Sequence, residues 1–211
     1  MPVLDTPSLL TGATYAFAAA LQPGPFQAYL ISQTVANGFR RTFPAAFAPV
    51  LSDLPVVCLV LFFLSNVPQF LLSLLQVAGG FLLFALAVSA YRSFRNFRHI
   101  APPSITAAHQ TVLRAALVNL LNPNPYLAWT LILGPLLLKA WSHSALDGAM
   151  FLIAFYGVLI TTMTGIILLF WKVSALGCRL RRGLLAVSAV ALAIFATYQL
   201  WAGSTQLLNR F

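Results

Sequence analysis

The chain has 211 residues, of which 60% are apolar and only 7% charged, with a formal net charge of +9. Soluble domains hold about 45–50% apolar and about 25% charged residues, so a water-facing surface cannot be built from this composition and soluble classes are excluded. The basic residues lie scattered in short gaps between apolar runs and form no patch or stripe, which argues against a nucleic-acid partner.

Apolar windows predict six membrane-spanning helices at Ser8 to Thr34, Pro44 to Ser65, Pro68 to Tyr91, Thr111 to Leu138, Leu146 to Phe170 and Leu184 to Ala202. The first begins without a preceding Lys or Arg and runs on past Ala18, Ala19 and Ala20, so it reads as a span and not as a cleaved signal. Membrane lipid is then the main environment. The odd-numbered connections hold Arg40, Arg41, Arg92, Arg95, Arg98, Arg114, Lys172, Arg179, Arg181 and Arg182, against Lys139 and Arg210 on the opposite side. By the positive-inside rule both termini are expected outside the cytoplasm. Trp141, Trp171, Trp201 and Tyr91 fall at predicted span ends, where an interfacial aromatic belt belongs.

An offset of 100 residues aligns Leu21-Gln22-Pro23-Gly24-Pro25-Phe26-Gln27-Ala28-Tyr29 with Leu121-Asn122-Pro123-Asn124-Pro125-Tyr126-Leu127-Ala128-Trp129. Three crossings per half make the second copy enter the membrane the other way up. The expected fold is therefore all-α: one six-helix transmembrane domain over 1–211, made of two inverted three-helix repeats (about 1–100 and 101–211) with broken first and fourth helices. Pro-X-Pro removes two backbone donors and clashes with the preceding turn. The freed groups must be met by protein, water or a ligand. Paired interruptions at matching places in inverted halves point to a transporter's substrate site near the bilayer midplane. Gln22, Pro23, Gly24, Pro25 and Phe26, with Asn122, Pro123, Asn124, Pro125 and Tyr126, are the candidate substrate-binding residues. Tyr29 and Trp129, one turn beyond the breaks, either line the pathway or pack.

Asp53 lies mid-span with no base at matching depth. An Asp at a helix centre costs about 2.5–3.5 kcal/mol on insertion scales, so it calls for a function such as holding a proton or a substrate ammonium. The alternative is that Ser52-Asp53-Leu54-Pro55 caps a half-helix, with Pro55 in its first turn. Amides on Phe26, Gln27, Tyr126 and Leu127 would present positive half-helix ends to a carboxylate. Thr161, Thr162 and Thr164 either face the cavity or bond between helices.

Pro23-Gly24-Pro25, Asn122-Pro123 and Leu75-Gln76-Val77-Ala78-Gly79-Gly80-Phe81-Leu82-Leu83 resemble the LysE/RhtB amino-acid exporter family over nearly the whole chain. The resemblance implies a bacterial inner-membrane secondary transporter that moves amino acids or similar small solutes outward. Asp53 adds the expectation that protons are the coupling partner and that the solutes are amino acids or related small amphipathic molecules. Where members often carry glycines, the second span here has Ala45, Ala46, Ala48 and Pro49. The competing readings are a transporter of a metal or other inorganic ion, an intramembrane enzyme and a non-transporting scaffold. One acid without a His or Cys cluster is a thin metal-ligand set, and no base-nucleophile pair is evident, so no metal, cofactor or catalytic residue is expected. Association into a homo-oligomer is compatible with the chain.

Overall fold

A computed structural model describes residues 6–62, 69–95 and 106–208, and all the secondary structure among these residues is helical. The first predicted span is two helices, α1 (Thr6–Leu21) and α2 (Pro25–Asn37), parted at Gln22, Pro23 and Gly24. Pro23 and Pro25 have no N–H to offer the carbonyls four residues back, so the ladder stops. Pro25 then opens α2, a position where the missing donor costs nothing. At its far end α2 closes on Gly38, whose φ of 82° lies in the left-handed region that glycine adopts freely, and whose N–H donates to the Thr34 carbonyl at 2.9 Å.

A short α3 (Phe39–Thr42) and a 3₁₀ segment (Phe43–Phe47) lead into α4 (Ala48–Phe62). Pro55 sits inside this helix and Asp53 two residues before it. Asp53 therefore does not cap a half-helix: α4 is already five residues old when it reaches the acid, and the helix absorbs the proline without ending. The end of the second predicted span, beyond Phe62, lies outside the described residues.

The third predicted span is α5 (Gln69–Arg95), which carries Arg92 and Arg95 in its last turn, where cations complement the helix dipole. The fourth is composite: α6 (Thr106–Leu120), an interruption at Leu121 and Asn122, α7 (Pro123–Ala128), a π-helical turn (Trp129–Leu133) and α8 (Gly134–His143). Two long helices complete the chain, α9 (Ala145–Ala175) and α10 (Cys178–Leu208). Lys172, Arg179, Arg181 and Arg182, expected in a connection, instead sit on these helices. Their long apolar stems allow a helix to continue while the charged ends reach a polar region. The Arg182 guanidinium lies over the Phe94 ring, 4.9 Å from its centre, joining the ends of α10 and α5.

Among the described residues three helical stretches are long and apolar enough to cross a membrane unaided: Ser73–Arg95, Ala145–Ala175 and Cys178–Leu208. The first and fourth predicted spans differ because each is assembled from shorter pieces, and the second is described only as far as Phe62. The most extensive pairing is α5 against α10. It depends on small residues, since a Cβ added at Gly203 would lie 2.9 Å from the Ser73 carbonyl oxygen, and one at Gly80 would lie 2.6 Å from Leu200 Cγ. Around this pair α1 lies on α9 and α4 lies on α6. Tyr29, Trp129, Phe151, Ile167 and Leu192 are buried at the centre. The remaining described acid, Asp147, is consumed in the turn before α9: Ser144 caps the helix, accepting from the Asp147 N–H at 3.0 Å and donating to its carboxylate at 2.8 Å, and His143 pairs with the same carboxylate.

Candidate functional site

Asp53 is only 4% exposed, and a buried carboxylate must be met by donors. They come from three other elements. Asn119 on α6 donates its Nδ2 to Asp53 Oδ1 at 2.7 Å and to Ser52 Oγ at 2.8 Å. The Tyr156 hydroxyl on α9 donates to Oδ2 at 3.4 Å, and the Trp129 indole of the π-helical turn is a third neighbouring donor. Ser52 passes its own proton back to the Ala48 carbonyl at 3.0 Å. These partners are all neutral. They hold the carboxylate in place without cancelling its charge, unlike an Arg or Lys, which would lock it in an ion pair.

Beside Asp53 is a cavity of about 120 Å³. The first break contributes Gln22, Pro23, Gly24 and Phe26 to its wall, and the second contributes Asn122, Asn124 and Pro125. Trp129 and Asn119 line it with them, and α9 adds Phe155, Leu159 and Met163. Both breaks and the buried acid thus meet at one space. Trp129 and Phe155 stand edge to face, centroids 5.6 Å apart, fixing the wall next to the carboxylate.

Four of the residues singled out in the sequence are elsewhere. Pro25 and Pro123 open helices α2 and α7 and do not line the cavity. Tyr126 also lies off its wall, and its hydroxyl turns back to the Leu120 carbonyl at 3.0 Å, one of those released by the second break. Tyr29 is fully buried and donates to the Thr111 carbonyl at 3.1 Å, bracing α2 against α6 away from the cavity. None of Thr161, Thr162 and Thr164 lines it either, and Thr161 bonds to the Gly157 carbonyl of its own helix at 2.7 Å.

Asn122 accepts from the Asn124 N–H at 3.1 Å and so caps α7 while facing the cavity. At the first break no side chain caps α2; instead Gln27 donates its Nε2 back to the carbonyls of Ala20 (2.9 Å) and Ala19 (3.3 Å) at the end of α1. Sequence reasoning passed over Asn119 and Tyr156. Asn119 had one signal, being an amide inside an apolar run three residues before Asn122; Tyr156 had none, because the residues around it are just as apolar.

A family model described as LysE type translocator matches residues 17–203, a stretch that takes in both breaks, Asp53 and nearly the whole cavity wall. The chain belongs to the LysE type translocator family. No curated protein and no solved structure matches it. Membership of a translocator family, together with the long apolar helices, makes this a membrane protein of a transporter family, which implies a small-molecule substrate. Among the described residues no group of His, Cys, Asp or Glu is arranged to hold a metal ion.

Proposed function

We propose that the protein is a secondary active transporter which exports amino acids or related small amphipathic solutes across the bacterial inner membrane, with proton coupling through Asp53. The observation that carries this reading is the meeting at a single cavity of two helix interruptions and one buried carboxylate that has no cation beside it among the described residues. An ionisable group kept away from water and from counter-ions marks a substrate or proton path. Asp53 in its charged form meets a substrate ammonium or accepts a proton, and its neutral donors serve the first state without preventing the second.

The carboxylate of the substrate is assigned to the breaks. The first-turn amides of α2, on Phe26 and Gln27, have no carbonyl within the helix four residues back. The amides of Tyr126 and Leu127, expected to match them, do not: α7 already begins at Pro123, so Asn122 and Pro123 stand four residues back with their carbonyls, and the second break offers side chains instead. Gln22, Asn122 and Asn124 add side-chain hydrogen bonds. The pairing of α1 with α9 and of α6 with α4 is the exchange that two inverted halves would produce, since α6 matches α1 and α9 matches α4 at the offset of 100 residues. Both termini are assigned to the outer side on the distribution of Lys and Arg.

Counterflow and gradient-driven flux of labelled amino acids in proteoliposomes test the proposal. Asp53→Asn keeps the shape and the hydrogen bond to an amide but holds no titratable proton. It is expected to abolish gradient-driven flux while the protein remains folded and monodisperse. Full gradient-driven activity in that variant removes the proton-carrying role. Absence of flux for every amino acid removes the transport reading.

A further inference from the structure

The cavity wall is divided by chemistry. Of the described residues that line it, Asp53 is the only one with a charge, and the polar side chains Tyr15, Gln22, Gln27, Asn119, Asn122 and Asn124 come from α1, the breaks, α2 and α6. The α9 side is apolar. Phe155, Leu159 and Met163 recur at four-residue spacing, so they stand one above another on a single face, and all three are buried. At 1.5 Å per residue this stripe extends about 12 Å. It starts next to Tyr156, which donates to Asp53, and leads away from it; Leu133 of the π-helical turn lines the same space.

We infer that the substrate is an amino acid with one ammonium and an uncharged apolar side chain of the size of leucine, methionine or phenylalanine, and that dibasic and acidic amino acids are rejected. This rests on the transport reading above. A zwitterionic head finds one acid and several neutral hydrogen-bonding groups. A second ammonium, as in lysine, finds no second acid, and lying along Leu159 and Met163 it would lose its water without a partner. A second carboxylate, as in glutamate, finds no cation among the lining residues and an apolar wall in place of donors. The polar side chains of serine or threonine would leave the stripe poorly filled.

The test is a substrate panel in proteoliposomes loaded with wild-type protein: counterflow of labelled leucine, methionine, phenylalanine, lysine, glutamate and serine at equal concentrations. The expected result is counterflow of leucine, methionine or phenylalanine at least about tenfold faster than that of lysine, glutamate or serine, the order of discrimination an apolar pocket supplies. Lysine, glutamate or serine moving as fast as the apolar set overturns this inference and leaves transport standing. Failure of all six to move overturns this inference, and the transport reading falls with it only if the remaining amino acids do not move either. A second arm uses Met163→Ala, which shortens the stripe by a side chain and is expected to raise the ratio of phenylalanine to leucine counterflow several-fold. An unchanged ratio in protein that still transports shows that the stripe does not contact the side chain and overturns its assignment. Should that variant not fold, the wild-type panel decides alone.

Discussion

The two interruptions arise from matching sequence, Gln22-Pro23-Gly24-Pro25 and Asn122-Pro123-Asn124-Pro125, yet they are closed by different means. The first is closed from downstream by one flexible side chain, Gln27, bonded to two carbonyls at the end of α1. Its Gly24 is extended, at φ −162° and ψ −179°, and caps α2 without any side-chain bond. The second is closed locally and from outside. Asn122 caps α7, Tyr126 satisfies the Leu120 carbonyl, and Gly79 of α5 lies against the Leu121 carbonyl. A proline pair thus dictates where the hydrogen-bond ladder fails, but the repair depends on whichever donors the surrounding helices happen to bring. The second break is the more rigidly backed of the two.

That difference can be tested by substitution. The largest effect on stability is expected from Gly79→Ala, because the new Cβ would stand 2.7 Å from the Leu121 carbonyl oxygen, which is backbone and cannot swing aside. A loss of about 1–3 kcal/mol is expected, typical of overpacking, seen as earlier thermal unfolding of the purified protein in detergent. A melting temperature equal to wild type would show that the second break has slack. Asn122→Ala comes next: removing the cap of α7 should cost about 1 kcal/mol, and counterflow in proteoliposomes should fall along with it, since the same side chain faces the cavity.

Gln27→Met keeps the length of the side chain and removes its donors, with an expected cost of about 0.5–1.5 kcal/mol in the same melting assay. If it costs more than Gly79→Ala, the ranking of the two breaks is reversed. The smallest effect belongs to Gly24→Ala. Extended backbone suits any residue, and the nearest atom to the added Cβ would be Gln27 Oε1 at an ordinary 3.5 Å. Stability should stay within about 0.5 kcal/mol of wild type; unfolding well below wild type would show that the first break is as tightly held as the second.

How much of this was legible beforehand follows the physics of each feature. Pro-X-Pro is a local, nearly obligatory breaker, so both interruptions could be read from the sequence to within a residue or two. Asp53 could be read because a charge in an apolar run is conspicuous, but its environment could not: Asn119 lies 66 residues away in sequence and Tyr156 lies 103. The capping reading of Ser52-Asp53-Leu54-Pro55 failed because Pro55 is compatible both with a helix start and with a tolerated interior position, and only the helical run from Ala48 chooses between them. The π-helical turn at Trp129–Leu133 and the 3₁₀ segment at Phe43–Phe47 were not anticipated, although each is followed by a proline, Pro135 and Pro49, that has no N–H for the carbonyl four residues back. The α9 stripe was hidden by a uniformly apolar helix, in which periodicity has no contrast.

Arg181 ties the end of α2 that is remote from the first break to α10. Its Nε donates to the Val35 carbonyl at 2.9 Å and its Nη2 to the Ala36 carbonyl at 3.3 Å, fastening the end of α2 to α10, itself stacked along α5. Any rocking of α2 must either drag those two helices with it as one block or give up two hydrogen bonds to a permanently charged group.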